Sequence, residues 1–150
     1  MATFISILRG INVSGKNLIK MEALRKLFVD AGFSNVQTYI QSGNVIFETK
    51  KIATADLEKI VSGEIKKQFG LNVPVLVITL EELKNVIKNN PFANDKTKDT
   101  NFLHVTFLSG IAAKENIAKI SAAGFLPDEF FVVDKAGYLY CPNGYGNTKL

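Results

Sequence analysis

Three features of the sequence predict an α+β fold of duplicated ferredoxin-like (split β-α-β) subdomains, with antiparallel sheets and helices packed on them. Strand-length apolar segments alternate with amphipathic helical segments in the order β-α-β-β-α-β over the first 80 residues. The second half echoes the first: Leu8-Arg9-Gly10-Ile11 matches Leu108-Ser109-Gly110-Ile111, and Ala31-Gly32-Phe33 matches Ala123-Gly124-Phe125. Each echo is followed by a hairpin with a central glycine, Gly43 or Gly137, as a repeated β-α-β-β unit requires.

The first strand is Thr3 to Arg9, apolar on both alternating faces and therefore central. A polar loop follows. Lys20 to Ala31 is helical, with Met21, Leu24, Leu27 and Phe28 on one stripe and Gly32 at its C-terminal end. Val36 to Gln41 and Val45 to Thr49 form a hairpin around Ser42-Gly43-Asn44, where Gly and Asn accept positive φ. Thr54 or Asp56 caps a second helix, whose buried face is Leu57, Ile60, Val61, Ile65 and Phe69, and Gly70 ends it. Val73 to Thr79 is the fourth strand, and Leu80 to Lys88 a third helix stopped at Asn90-Pro91. Residues 1–90 thus form the N-terminal subdomain. Residues 91–150 form the related, C-terminally incomplete one, the two making one compact domain. The polar run Asn94 to Asn101 is the linker candidate. Phe102 to Ser109, a helix over Ala112 to Ala122, and strands Phe130 to Asp134 and Tyr138 to Cys141 around Lys135-Ala136-Gly137 complete the chain.

Composition narrows the function. The chain has 150 residues, 47% hydrophobic with 11 Phe, enough to bury a core. No 18-residue apolar stretch exists, which excludes a membrane span, and the short apolar N-terminus lacks a basic region and a cleavage site. Cys141 is the only cysteine and His104 the only histidine, so neither a disulfide nor a Cys/His metal cluster can be assembled. His104 reads as a sheet-surface or helix-packed residue and Cys141 as a small buried hydrophobe. A reducing, cytoplasmic setting follows from the cysteine count. The net charge of +4 mildly favours anionic partners.

The segment Arg9 to Asn17, RGINVSGKN, is too polar for a core and richer than a turn needs. From Gly10 to Gly32 is 22 residues, whereas Gly110 to Gly124 is 14, so the repeat makes this connection without the extra polar loop. Additional loop on a rigid scaffold points to function. Gly10-x-x-x-x-Gly15-Lys16 has P-loop spacing, but Asn17 lacks the hydroxyl that binds magnesium, the helix starts late, and the strand order is not that of a parallel nucleotide-binding sheet. The surviving reading is a looser anion site using Arg9, Asn12, Lys16 and Asn17. The alternative is a structured loop whose Asn and Gly residues serve turns.

Two further segments join the candidate site. Tyr39 and Gln41 share a strand face, with Ser42 and Asn44 at the hairpin end. Pro142 to Lys149 is a glycine-rich turn in which Asn147 and Lys149 would serve an anion, or Asn147 or Thr148 would cap a helix. Arg9, Lys16 and Lys149 would surround one phosphate if the two loops meet.

LRGINVSGKN followed by AGF-x-N-V-x-T-YIQSGNVIF, and later NNPF, LHVTFLSG and GYGNTKL, closely resembles the uncharacterised bacterial family called domain of unknown function 1697. The resemblance spans essentially the whole chain. It implies two ferredoxin-like subdomains, no established activity, and a further helix beginning at Thr148-Lys149-Leu150. Two other functions compete with a small anionic ligand. Single-stranded nucleic acid or RNA binding fits the β-α-β-β-α-β order, although Gly43-Asn44-Val45-Ile46-Phe47 and Phe4 keep only part of the aromatic RNA-binding pattern. An assembly module would pair through edge strands.

Overall fold

The computed structural model describes residues 1–150, by backbone throughout and, Ala122 apart, by side chain. It is a mixed α+β structure with two antiparallel sheets and four α-helices. The chain divides into two units, Met1–Lys84 and Asn85–Leu150.

The first unit contains β1 (Ala2–Leu8), α1 (Met21–Asp30), β2 (Ser34–Tyr39), β3 (Asn44–Thr49), α2 (Thr54–Phe69) and β4 (Val75–Thr79), and ends inside α3 (Leu80–Lys88). Its sheet has the order β2-β3-β1-β4 with every neighbour antiparallel, the arrangement a split β-α-β unit produces. Phe4 and Leu8 of β1 share a core with Val45 and Phe47 of β3, Leu24, Leu27 and Phe28 of α1, and Leu57, Val61 and Ile65 of α2. Phe28, Phe33 and Phe47 pack with centroids 4.6–5.8 Å apart, within the range where aromatic pairs attract beyond their area. Ser6 is fully buried in the same sheet, and among the described residues its hydroxyl has no hydrogen-bond partner.

Local chemistry sets the ends of these elements. Gly32 follows α1 at φ +89, and the N–H of Phe33 donates to the Phe28 carbonyl, a Schellman closure. α2 starts from Ala53, with no side-chain cap, so neither Thr54 nor Asp56 caps it: both lie inside the first turn. Gly70 ends it in the left-handed region. Thr79 and Glu82 form a reciprocal capping box at α3, Thr79 N–H to Glu82 Oε2 at 2.7 Å and Glu82 N–H to Thr79 Oγ1 at 3.1 Å. β4 is a sheet edge, and the carboxylates of Glu58 and Glu82 take the N–H groups of its Val77 and Thr79. Side chains that occupy edge donors in this way deny them to another strand.

The second unit carries β5 (Leu103–Phe107), α4 (Lys114–Ala123), β6 (Glu129–Val133) and β7 (Ala136–Tyr140). Its sheet order, β5-β7-β6, follows the same sequence of connections as β1-β3-β2 in the first. The β6–β7 turn is Asp134-Lys135, with Val133 paired to Ala136, and not Lys135-Ala136-Gly137. Asp134 takes the positive φ of +51, which a short polar side chain tolerates, and Gly137 lies within the strand. The run Asn94 to Asn101 is a structured loop and not a linker. Asp95 accepts from Thr97, and Asp99 caps a short 3-10 turn at Thr100–Phe102. Lys98, its side chain only 13% exposed, lies 4.5 Å over the Tyr140 ring and pairs with Glu129. That pairing, with Asp95 adding to it, holds the Lys98 ammonium above its ordinary pKa, while hydrogen bonds from Thr97 hold Asp95 below its own. Phe92, Ala136 and Tyr138 form the core here, with the Tyr138 hydroxyl donating to the Val86 carbonyl. Cys141 is buried, and burial pushes its thiol pKa up.

Candidate functional site

Between β1 and α1 the chain first makes a miniature hairpin. Ser14 at φ +50 and Gly15 at φ +73 form its turn, and Lys16 N–H donates to the Val13 carbonyl at 2.9 Å. Two consecutive positive φ values are the signature of a type I′ turn. Asn12 and Asn17 flank it at φ +53 and φ +49, with Asn12 N–H donating to the Asn17 carbonyl. This reversal, and a helix that begins only at Met21, set the segment apart from a P-loop, whose backbone runs directly into its helix.

Asn12 is the brace of the loop. Its Nδ2 donates to the carbonyls of Ile19 and Gln41, both at 2.9 Å, and its Oδ1 accepts the Ile19 N–H at 2.8 Å. Both amide protons are therefore committed. Asn17 Nδ2 donates to the Gly10 carbonyl at 2.9 Å. The side-chain amides of these two residues are bonded within the protein and shape the loop.

The Gln41 contact joins the loop to the β2–β3 hairpin. Tyr39 pairs with Asn44 across the hairpin, so Ile40-Gln41-Ser42-Gly43 is the connection. The positive φ values fall on Ile40, +51, and Gly43, +85, and not on Asn44. A β-branched residue in that region is strained. Gln41 lies in the loop and does not share a strand face with Tyr39. Gly43 accepts the Leu8 N–H, and an added Cβ there would meet Ile11 Cδ1 at 2.6 Å and Leu8 Cβ at 2.9 Å. Only glycine lets the hairpin close over the buried Ile11.

The side chains offered to solvent differ from those doing the bracing. Arg9 and Lys16 are exposed, and among the described residues neither makes an ion pair. Tyr39 is 66% exposed, and Val13, Leu18 and Ile40 are open as well. Ser42 is exposed, its Oγ accepting from Asn44 Nδ2 at 3.0 Å. The Asn12–Gln41 bond thus joins the loop that carries Arg9, Lys16 and Asn17 to the hairpin turn that carries Ser42 and lies between Tyr39 and Asn44. Asn147 and Lys149 belong to the second unit. There Asn147 lies in a 3-10 turn, Tyr145–Asn147, with its Nδ2 on the Asn143 carbonyl; Lys149 is exposed. Thr148 is the extended C-terminal cap of that 3-10 turn and not a helix N-cap: its N–H donates to the Tyr145 carbonyl and its hydroxyl donates to Asp128 Oδ2 at 2.6 Å. His104 packs against Tyr145 in a tilted pair, with 4.7 Å between ring centroids.

Sequence reasoning missed a cleft of about 390 Å³ in the first unit, lined by Lys59, Ser62, Gly63, Lys66 and Asn72 over the buried Val73. The signal was present: Gly63 is a glycine in mid-helix, where it costs about 1 kcal/mol against alanine.

Comparison with known proteins adds family and fold. The family model described as "Protein of unknown function (DUF1697)" matches residues 1–138. No curated protein matches. The solved structure of the conserved bacterial protein SP0830 from Streptococcus pneumoniae superposes with a TM-score of 0.76 at 22% identity, over 99% of this chain and 82% of that one. At that identity the likeness speaks for the fold alone.

Proposed function

We propose that this chain, which belongs to the DUF1697 family of unknown function, binds a small anionic ligand, in the fullest form a phosphorylated one, where the Arg9–Asn17 loop meets the Ile40–Gly43 turn. The observation that carries the reading is the division of labour at Asn12. Three hydrogen bonds of one side chain fix the loop against Ile19 and Gln41, and the exposed Arg9 and Lys16 on it make no ion pair among the described residues. Cations held on a rigid frame bind an anion without first losing loop entropy. Tyr39, Ser42 and Asn44 supply an aromatic face and hydroxyl and amide groups at its border. The lone buried cysteine fits a reducing cytoplasm.

The nucleic-acid reading loses its platform, because Phe4 and Phe47 are 2% and 0% exposed and stack on each other inside the core. RNA readers of this strand order need such aromatics on an open sheet. Assembly through β4 is opposed by Glu58 and Glu82 on its edge donors.

A thermal-shift panel of sugar phosphates, nucleotides, carboxylates and short RNA, followed by calorimetry on any hit, tests the reading. A ligand at 100 times its dissociation constant adds about 2.7 kcal/mol of stability. Small anions should raise the melting temperature of the wild type and fail to do so in a folded Arg9→Ala/Lys16→Ala variant. Equal affinity in the variant removes these roles, and a response confined to RNA and fading with salt moves the function elsewhere.

A further inference from the structure

The cleft beside α2 has features of a second ligand site, independent of the loop. Lys59, Ser62, Gly63 and Lys66 lie at i, i+3, i+4 and i+7, which places them on one stripe of the helix. Asn72, the buried Val73 and Pro74, in the segment entering β4, complete the lining. Pro74 is held in place by its carbonyl, which accepts the Arg9 N–H at 3.0 Å. The cleft is a shallow depression of about 390 Å³, largely open to solvent.

Gly63 is the residue that needs explaining. It is exposed in the middle of a 16-residue helix, and a Cβ built there meets no atom within 4 Å. Its φ is not in the left-handed region, so neither backbone geometry nor packing requires glycine. What glycine does achieve is a flat patch of helix surface between two lysines. Lys59 and Lys66 are separated by about 10 Å along the axis, so two lysine side chains, each reaching about 6 Å, can converge above Gly63. Nearby acids offer little competition. Asp56 is 3.9 Å from Lys59 in an exposed pair, Glu64 faces Lys67, and Glu58 is occupied by the Val77 N–H. Lys66 makes no ion pair among the described residues.

We propose that a phosphorylated small molecule seats in this cleft, its phosphate over Gly63 between Lys59 and Lys66 and within reach of the Asn72 amide. Two cations converging on one point match a dianion, which favours a phosphate monoester over a single carboxylate.

Isothermal titration with pyrophosphate and with adenosine monophosphate tests the assignment on four proteins: wild type, Lys59→Gln/Lys66→Gln, Gly63→Leu and Arg9→Ala/Lys16→Ala. Saturable binding is expected in the wild type, weakened at least about tenfold in the lysine pair and lost when leucine fills the patch. Leucine is a better helix former than glycine, so Gly63→Leu should melt higher than wild type while binding less, a combination that a merely unfolded variant cannot give. Unchanged binding in Arg9→Ala/Lys16→Ala keeps this site separate from the loop; loss there alone assigns the anion to the loop and overturns the cleft. Equal affinity in wild type, Lys59→Gln/Lys66→Gln and Gly63→Leu, or no saturable binding at millimolar concentration, also overturns it.

Discussion

Replacing Gly43 by alanine should be among the most damaging single-methyl changes in the first unit, and its cost can be worked from the structure. Two penalties combine. An L-residue in the left-handed region costs about 1–2 kcal/mol, and Gly43 sits at φ +85. The added Cβ also lands 2.6 Å from Ile11 Cδ1 and 2.9 Å from Leu8 Cβ, an overpacking that costs about 1–3 kcal/mol. The total is about 2–5 kcal/mol. Gly70→Ala is the control: Gly70 has φ +68 and open space around its Cβ position, so it carries the backbone penalty alone. Urea unfolding followed by far-ultraviolet circular dichroism measures both. Ile11→Val removes the Cδ1 carbon that the new methyl strikes, so a cycle over Gly43→Ala and Ile11→Val should show a favourable coupling of at least about 0.5 kcal/mol. If Gly43→Ala costs no more than Gly70→Ala, or the cycle is additive, the loop does not rest on the hairpin as described.

Three further outcomes follow from other contacts. Asn12→Ala should destabilise by about 1–3 kcal/mol, because it leaves the partly buried Ile19 groups without partners; hydrogen exchange should accelerate at Ile19 ahead of β3, and uniform acceleration would contradict the brace. Ser6→Ala should be neutral or stabilise by up to about 1 kcal/mol in the same unfolding assay, since it removes a buried hydroxyl that lacks a partner; a clear loss would reveal a partner for that hydroxyl. Lys98, raised by Glu129, contributes stability in full below the ordinary lysine value of about 10.4, lost as pH rises through its higher folded pKa. Asp95, lowered by Thr97, contributes above about 3.9, lost as pH falls through its lower folded pKa. Unfolding midpoints of wild type and Lys98→Met should therefore converge above pH 10.4 or so, and parallel curves would refute the pairing.

The sheet and helix order was legible because it rests on local patterns. Leu24, Leu27 and Phe28 sit on the buried face of α1, and Leu57, Val61 and Ile65 on that of α2, as their spacing requires, whereas Ile60, expected on the same face, is 41% exposed. What misled was chemistry with a distant partner. The run from Asn94 to Asn101 has linker composition, yet Lys98 is anchored by Glu129, 31 residues later, and no local signal announces that pair. Turn residues failed differently. Asp134-Lys135 and Lys135-Ala136-Gly137 overlap, and glycine drew the prediction although aspartate also takes positive φ. At the site, polarity and excess length single out the Arg9–Asn17 loop, but composition does not show what its asparagines bond. Asn12 reaches Gln41, 29 positions away, so its role could be seen only once the loop and the hairpin were together in space.

The pattern of what this unit covers and what it leaves open argues for recognition at the loop end. The edge of β4 is closed with care: two carboxylates sit 3.0 and 2.7 Å from its outward N–H groups. Those bonds restrict Glu58 and Glu82, and their effect is to prevent strand pairing. Nothing comparable shields the loop end. Val13 is 57% exposed, Leu18 69%, Tyr39 66% and Ile40 58%, with Arg9 and Lys16 beside them in sequence. Single exposed apolar residues are ordinary, but here four flank one braced turn pair and one of them is held in a strained conformation. A turn needed only to join β2 to β3 has no use for that strain, and the β6–β7 turn places its positive φ on Asp134, which tolerates it. Under the proposed anion-binding reading, this braced and exposed end is the surface that meets the ligand, while the closed β4 edge is denied to another strand.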